Sequence, residues 1–473
     1  MATIPKKAQM NASAADVVNS VASEAGLSNV PRVLNEGETL ADGSKATKAQ
    51  ALQTLRAAGE AISGFQPNAN AFLSALVNRI GLVIINSKLY SNPWAMFKKG
   101  MMEYGESIEE LFVNIVAAQQ FDPETAENEV FKRKLPDVRS AFHTMNYQKF
   151  YKTTVSQEQL RQAFLSFQGI SDLVGRITEA LYTSENYDEF LVMKYMLAQA
   201  ALNGQFYPVA VEEATPTNSN AIVTTLKTMS DNLTFLKSDY NVAGVHTFTD
   251  KNNQVFIMST AFANMVDVET LALAFNIDKV ELMGRIVRVD SFGFDDSEIA
   301  RLDALLAANP GYETIQSADN TKLKALPCIC VDASFFMIFD NFQQMTDAYN
   351  GQGLYWNYFL HAWKTFSTSP FANALLFSTE TPAVSAVAIT PDTANASPGA
   401  LLFFNAKVTN AGFAPAGVEW SISGNSSNNT TIDQQGRLKL AADEAGPTIT
   451  VTAKSKYTPT VTDTATVTVQ AGD

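Results

Sequence analysis

The side chains that most often carry out chemistry, histidine and cysteine, are scarce in this chain. Its three histidines, His143, His246 and His361, lie far apart in sequence, and none belongs to a metal-binding or catalytic motif such as HExxH. The two cysteines, Cys328 and Cys330, alternate in the strand-like run LPCICVD, so both should face the same side of a sheet. A zinc site would need two further ligands nearby, so two buried thiols are the favoured interpretation.

Charged residues cluster in GESIEELF and ENEVFKRK, where they could form a carboxylate site or a solvated arm that contacts another subunit. Their alternation in sign favours the arm. The sequence contains neither the GxxxxGK[ST] phosphate loop nor the GxSxG nucleophile motif. We therefore predict a protein that is not an enzyme and has no cofactor or metal. Four of the clustered charges are candidates for subunit contacts: Glu109, Glu110, Lys132 and Arg133.

The composition favours a protein that assembles. Hydrophobic residues make up 46% of the chain and charged residues only 17%, whereas charged residues make up about 25% of a typical soluble domain. A surface poor in Lys and Glu resembles the centre of a protein interface. The net charge of −14 argues against a surface that grips nucleic-acid phosphates. It would suit a wall close to nucleic acid, but from charge alone an ordinary cytosolic protein is the favoured interpretation.

The sequence divides into regions of different pattern. Residues 1–66 are rich in Ala, Ser, Gly and Asn, which predicts an N-terminal arm or a partly disordered segment. Residues 67–382 mix helical and strand patterns and predict an α+β body. Within it, residues 98–155 predict a long extended excursion, and residues 170–204 predict helices. No apolar run has the length of a signal peptide or a membrane span, so we expect a chain folded in a cytoplasm without a membrane partner.

The composition changes near Pro382. From residue 383 to residue 473, short alternating runs such as VSAVAIT, GVEWSIS and TITVTAKS are separated by turn signals, which predicts a β-sandwich. Trp420 in VEWSI lies where an immunoglobulin-like domain buries a tryptophan, although no cysteine pair accompanies it. We expect a separate, surface-displayed all-β domain.

Several long segments resemble one known family. They are similar, in order from about Phe72 to Phe377, to the major capsid proteins of small short-tailed bacteriophages of the phi-twenty-nine type. The C-terminal region is similar to a bacterial immunoglobulin-like (group 2) domain. The segments that carry the resemblance are LVNRIGLVII, NPWAMFKKGMMEYGESIEELFVNI, FDPETAENEVFKRKLPDV, FHTMNYQKFY, LAFN, MGRIVRVDSF and, above all, GLYWNYFLHAWKTFSTSPFANALLF.

The resemblance implies an HK-ninety-seven-type tailed-phage capsid fold followed by the immunoglobulin-like sandwich. Residues 1–66 would then be the N-terminal arm, and residues 98–155 an extended loop that reaches over a neighbouring subunit. Residues 170–204 would hold the spine helix of a peripheral domain. Residues from about 221 to 340 would form the axial domain.

The resemblance also implies a function. Copies of the chain would self-assemble into the hexamers and pentamers of an icosahedral-type or elongated phage head that encloses double-stranded DNA. A scaffolding protein and a portal would be partners, and the DNA would be close without being read in sequence. The protein would be found in the virion capsid, and in the host cytoplasm during assembly.

The aromatic segment Gly351 to Phe377 holds two of the four tryptophans and could be a pocket, a core or a contact between copies. We expect mostly core, built on a helical stripe and followed by a strand at NALLF. The stripe would consist of Leu354, Phe359, Trp363 and Phe366. Side chains off the stripe, and an aromatic in the extended loop, are the expected contacts with other copies: Trp356, Tyr358, His361 and Phe142.

Other functions stay open on the sequence alone. An encapsulin-like compartment would share the fold, but the aromatic segment and the immunoglobulin-like domain argue against it. A cell-surface adhesin that uses the sandwich as a binding module would need a signal peptide or an anchor. An enzyme with an aromatic sugar platform would need a nearby carboxylate pair, which the segment lacks.

Overall fold

A computed structural model provides the structure of the chain. No helix among the residues it describes is long and apolar enough to cross a membrane. The described residues are 13–65, 67–73, 75, 90–102, 107–116, 118, 136–164, 179–213, 215, 218–269 and 286–470.

Two helices in the N-terminal region begin at side-chain caps. Helix α1 (Ala14–Glu24) follows Ser13, and helix α2 (Lys48–Ser63) follows Thr47; each cap accepts a hydrogen bond from the third helical backbone N–H. Their apolar faces pack into a cluster that also contains aromatic side chains from the segment after residue 354. These two helices therefore pack against other parts of the chain. That residues 1–66 form an N-terminal arm stays a prediction.

The body is built around two sheets. In chain order its strands are β1 (Lys98–Met101), β2 (Ile108–Val113), β3 (Val138–His143), β4 (Tyr147–Ser156), β5 (Tyr207–Ala210), β6 (Gln254–Ser259), β7 (Ile286–Val289), β8 (Cys328–Asp332), β9 (Phe336–Asn350), β10 (Tyr355–Thr368) and β11 (Ala374–Ser378). Among the described residues, one sheet has the order β1-β9-β10-β4 and the other β5-β11-β8-β6-β7. Strands β2 and β3 pair only with each other there and form a separate hairpin.

The remaining helices pack on these sheets, and the main core lies between them. After a π-helical turn at Glu179–Thr183, the longest helix begins without a break. The helices are α3 (Gln157–Ala163), α4 (Ser184–Leu202), α5 (Ser219–Asn232), α6 (Thr260–Glu269), α7 (Asp296–Leu306) and α8 (Ser317–Lys324). The α+β class predicted from the sequence is confirmed. The segment 170–178 of the predicted spine helix lies outside the described residues, whereas 184–202 is helical.

The chain ends in a group of short strands with a core of its own, which surrounds Trp420. These are β12 (Ala383–Thr390), β13 (Thr393–Ala396), β14 (Leu401–Phe403), β15 (Asn405–Ala411), β16 (Val418–Ser423), β17 (Thr431–Ile432), β18 (Arg437–Lys439), β19 (Thr448–Ser455) and β20 (Thr462–Val469). We refer to residues 383–470 as the sandwich.

The aromatic segment is a strand, so the predicted helical stripe is wrong. Strand β10 pairs antiparallel with β4 on one side and β9 on the other, and its buried residues alternate with half-buried ones. The period is therefore two, and aromatic residues suit a pleated sheet. The strand predicted at NALLF is present as β11. Cys328 and Cys330 are free thiols, fully buried in one core cluster, as predicted.

Candidate interaction surface

The hairpin β2–β3 has two faces of different character. In the antiparallel register, Glu109 lies opposite Phe142, Leu111 opposite Ser140, and Val113 opposite Val138. All six side chains of these pairs share one face, because alternate residues of a strand point the same way. Its large apolar side chains are open to solvent: Leu111 is 61% exposed, Val113 61% and Phe142 65%.

The opposite face of the hairpin is anchored to the body. The ring of Phe112 stacks on Phe371, with centroids 5.6 Å apart and an interplanar angle of 22°. The Glu110 carboxylate accepts a hydrogen bond from Ser369 Oγ at 2.8 Å and lies 3.3 Å from Nε2 of the buried His143. Because a two-stranded ribbon is marginal by itself, these contacts with the residues after β10 fix its position.

A second anchor joins the hairpin to the loop of residues 241–246. Arg139 donates to the carbonyl oxygen of Ala243 and pairs with Asp137 at 3.0 Å. The Arg139 hydrogen bond is the main reason why the pKa of Asp137 is lowered. Asn114 Oδ1 accepts from the backbone N–H of His246 at 3.2 Å. The hairpin therefore has a defined position, with one face held down and the other open.

The open face continues beyond the paired strands. Ile115 and Val116, which follow β2, are 56% and 67% exposed. Exposed large apolar side chains of this density in one stretch are unusual for a protein that works as a monomer, and they mark interaction sites. We call the following side chains the hairpin surface: Leu111, Val113, Ile115, Val116, Val138 and Phe142.

The candidates predicted from the sequence fall in different places. Phe142 and Glu109 lie on the open face of the hairpin, while Glu110 points to the body and binds Ser369. His361 is half-buried on the face of β10 that also carries Phe359, with Nε2 at 3.3 Å from Thr346 Oγ1. Lys132 and Arg133 lie outside the described residues.

For two candidates the structure requires a correction. Trp356 and Tyr358 are both 0% exposed, in the cluster formed with α1, α2 and the residues around Phe72. The indole N–H of Trp356 donates to Asn70 Oδ1 at 2.7 Å. Side chains enclosed in this way have no surface for another copy, so both are core residues. The reason is the two-residue period of β10, which places positions 356 and 358 on the same buried face.

A buried ionic cluster was missed by sequence reasoning. The ammonium of Lys364 on β10 pairs with the carboxylates of Glu185 and Glu189 on α4, and all three residues are at most 5% exposed. Lys98 of β1 also pairs with Glu189, at 3.0 Å, and Asn92 donates to Glu189 Oε1 at 2.7 Å. The partners are far apart in sequence, so spacing carries no signal for them.

Burial and pairing compete in this cluster. Burial raises the pKa of Glu185 despite the adjacent Lys364. For Glu189, burial also opposes ionisation, but the charges of Lys364 and Lys98 outweigh it and lower the pKa. Burial would lower the pKa of Lys364, whereas Glu185 and Glu189 outweigh that effect and raise it. In this arrangement the buried charges pair with one another within the chain.

Two further ion pairs hold α4 to its surroundings. Lys194 lies 3.4 Å from Glu298 on α7 and stacks over the ring of Phe294. Asp188 pairs with Arg301, also on α7. Within the described part of the chain, no group of three or more His, Cys, Asp or Glu residues could hold a metal ion.

Comparison with known proteins places the chain among phage shell proteins. Residues 35–378 match the model of the family described as Phi29-like phage major capsid protein. The major capsid protein of Bacillus phage B103 is 34% identical over 384 residues, which are 79% of this chain and 78% of the relative. That of Bacillus phage GA-1 is 37% identical over 313 residues, which are 65% of this chain but only 60% of the relative's own length.

Solved structures with a similar chain also come from phages. A chain in the structure of the head fiber and inner core protein gp22 of native bacteriophage P68 has a TM-score of 0.49 and 14% identity, covering 63% of this chain and 86% of the other. A chain in the capsid of Staphylococcus phage Andhra has a TM-score of 0.48 and 13% identity, covering 62% and 86%. The family match and the curated relatives carry the assignment.

Proposed function

The chain belongs to the Phi29-like phage major capsid protein family, and we propose from this premise that its copies associate into the hexamers and pentamers of a phage head that encloses double-stranded DNA. Its role is structural, in the capsid of the virion. The same premise supports the HK-ninety-seven-type capsid fold for the body. It favours a phage shell over an encapsulin-like compartment or a cell-surface adhesin.

The observation that carries the proposal is the hairpin surface. It presents six apolar side chains to solvent while the other face of the hairpin is fixed to the body. Burying a side chain such as Leu or Phe contributes about 1.5–3 kcal/mol, so several of them can supply a contact between copies. A second copy of the chain is the partner that a shell subunit meets at every side.

The geometry of such a contact suits ring formation. In a ring of copies the hairpin surface would meet a different surface on the next copy, because neighbouring subunits of a cyclic ring are related head to tail. A contact between unlike surfaces is heterologous, and it closes into a ring when the rotation between copies allows. Rings of five and six copies can then tolerate weak individual contacts, because a closed shell makes many at once.

The regions assigned from the sequence follow the same proposal. Residues 1–66 would form the N-terminal arm, residues 98–155 the extended loop and residues 170–204 the spine helix. Residues from about 221 to 340 would form the axial domain, and residues 383–473 the displayed sandwich. The hairpin β2–β3 lies inside the proposed extended loop.

Further partners are part of the proposal. A scaffolding protein and a portal would be partners during assembly in the host cytoplasm. The net charge of −14 supports an inner wall that lies close to packaged DNA without adhering to it.

The test is assembly of the full chain. It is expressed with and without a co-expressed scaffolding protein of a related phage, sedimented, and the fast fraction is imaged by electron microscopy. We expect closed shells or hexamer sheets, and DNA in particles made during infection. A subunit that stays monomeric under both conditions would contradict the proposal. Particles filled with protein cargo instead of DNA would favour the encapsulin-like alternative.

A further inference from the structure

The sandwich is joined to the body by a side chain in an unusual conformation. Phe413, in the loop of residues 411–417, has a φ of 62°, in the left-handed region that residues other than glycine rarely adopt. Its side chain is 5% exposed and belongs to the core cluster of the body, together with Phe206 and Phe335. Such a conformation persists only where the surroundings fix it, and here the core of the body does so.

The same loop lies against the end of helix α4. Gly204 follows this helix with a φ of 66°, and its carbonyl oxygen accepts a hydrogen bond from the Ala416 N–H at 3.1 Å. A methyl group at Gly204 would overlap the carbonyl oxygen of Ala414 and the side-chain amide of Asn410. Glycine therefore permits a backbone-to-backbone contact between the longest helix and the sandwich.

A second contact reaches the loop that anchors the hairpin. A methyl group at Gly244 would overlap Nζ of Lys456 on the sandwich. The adjacent carbonyl, that of Ala243, accepts the hydrogen bond from Arg139 of the hairpin. Loss of hydration lowers the pKa of Lys456, and the charge of Arg139 lowers it further, which agrees with two cations near one loop.

We propose that the sandwich is a clamp. Besides being displayed, it holds the end of α4 and the loop of residues 241–246, and through that loop it holds the hairpin, in the position needed for assembly. This inference rests on the proposed role of the hairpin surface. Its first consequence is that the sandwich orders the body of a single subunit, which is measurable without a shell.

The first experiment compares two Phe→Ala variants of the full chain by hydrogen exchange and mass spectrometry. Phe413→Ala removes the side chain that enters the body, while Phe403→Ala removes one that is 65% exposed on the same module. We expect Phe413→Ala to speed exchange about tenfold in residues 198–206, 241–246 and 138–143, because local opening becomes easier. Helix α1 should be unchanged, and Phe403→Ala should change none of these regions.

A second pair of variants distinguishes loss of the contact with the sandwich from a general loss of folding. Gly204→Ala introduces both left-handed strain and a clash with the sandwich. Gly26→Ala introduces the same strain at a φ of 68°, with nothing within 4 Å of the new methyl group. The clamp predicts faster exchange at residues 241–246 for Gly204→Ala and an unchanged exchange rate there for Gly26→Ala.

Two results would overturn the clamp. One is that Phe413→Ala speeds exchange only within residues 411–417. The other is that Gly204→Ala behaves like Gly26→Ala at residues 241–246. Assembly of the same variants separates this inference from the function it rests on. Faster exchange with normal assembly would keep the sandwich as a holder of the body but contradict the role of the hairpin.

Discussion

Two regions of the molecule depart from the usual distribution of polarity in opposite directions. Helix α4 and strand β10 bury charged side chains, whereas the hairpin β2–β3 exposes apolar ones. The helix and strand place Lys364, Glu185 and Glu189 in the interior. The hairpin places Leu111 and Phe142 in solvent, more than half exposed. Each arrangement would be costly if it were left without partners.

The difference lies in where the partners come from. The buried charges of Lys364, Glu185 and Glu189 pair with one another within the chain. Among the described residues, the hairpin surface has an anchor in the chain, while its apolar side chains remain exposed. We infer that the charged interior serves to hold one subunit in shape, and that the apolar exterior becomes complete only when another copy binds.

The largest effect should come from removing the buried cation. Lys364→Ala leaves Glu185 and Glu189 without their main counter-charge, which should lower the free energy of unfolding by about 3–5 kcal/mol. Urea denaturation of the unassembled subunit measures it. Lys152→Ala on neighbouring β4 is the control, since that exposed ammonium only lies over Phe359, 5.7 Å from the ring centre. Equal losses in the two variants would show that the interior charges are not paired as described.

The next effect concerns a buried carboxylate that accepts several hydrogen bonds from uncharged groups. Glu444 in the sandwich accepts hydrogen bonds from Ser426 and Gly446 backbone N–H groups and from the Ser426 and Thr430 hydroxyls. These donors, chiefly the side chains of Ser426 and Thr430, lower the pKa of Glu444 to about 2. Glu444→Gln should destabilise the sandwich by about 2 kcal/mol, seen as faster hydrogen exchange in residues 426–446.

The pH dependence of the same residue follows from the sign of its shift. The unfolded chain takes up the proton near the ordinary value of 4.5, while the folded chain does so only near 2. The stabilisation is therefore complete above the unfolded pKa and is lost as the pH falls toward 2. The wild-type protein should lose protection at 426–446 over this range, and Glu444→Gln should show a flatter profile. Parallel profiles would contradict the assignment.

A smaller effect should follow from Trp356→Phe. The variant loses the hydrogen bond to Asn70, so subunit stability should fall by about 1–2 kcal/mol. Because the side chain is enclosed, the concentration at which folded subunits assemble should not change. Trp363→Phe, on the half-buried face of the same strand, is the comparison variant. A large change in the assembly concentration with unchanged subunit stability would show that Trp356 contacts another copy.

The sequence predicted the parts of the structure that depend on local patterns. The alternating runs after Pro382 form strands, and residues 184–202 of the region predicted to be helical, 170–204, form helix α4. The prediction from the sequence failed at β10, where a helix was expected, because Phe359, Trp363 and Phe366 also satisfy a helical spacing. Their strand partners come from β4 and β9. The residues of β4 that pair with β10 lie about two hundred residues earlier in the sequence, so no local window contains both strands.

The candidate site was predictable only in part. Charge alternation indicated the excursion that contains the hairpin, and Phe142 does lie on its open face. Glu110 has the same local context as Glu109, and only the strand register shows that it points to Ser369. The Lys364 cluster depends on contacts across more than 170 residues of sequence. Such contacts are set by tertiary packing, not by local spacing.

The most direct test of the comparison is assembly of a double variant of the hairpin surface. Leu111→Ser with Phe142→Ser removes two side chains that are 61% and 65% exposed. Leu401→Ser with Phe403→Ser makes the same change on the sandwich, where the two side chains are 52% and 65% exposed.

Sedimentation over a range of concentrations, with urea denaturation as a check on folding, compares both double variants with the wild-type chain. The account predicts that all three subunits unfold at the same urea concentration. It also predicts that only the hairpin variant fails to form shells at concentrations where the other two assemble. Shells of the hairpin variant at the wild-type concentration would contradict the claim that another copy covers the hairpin surface.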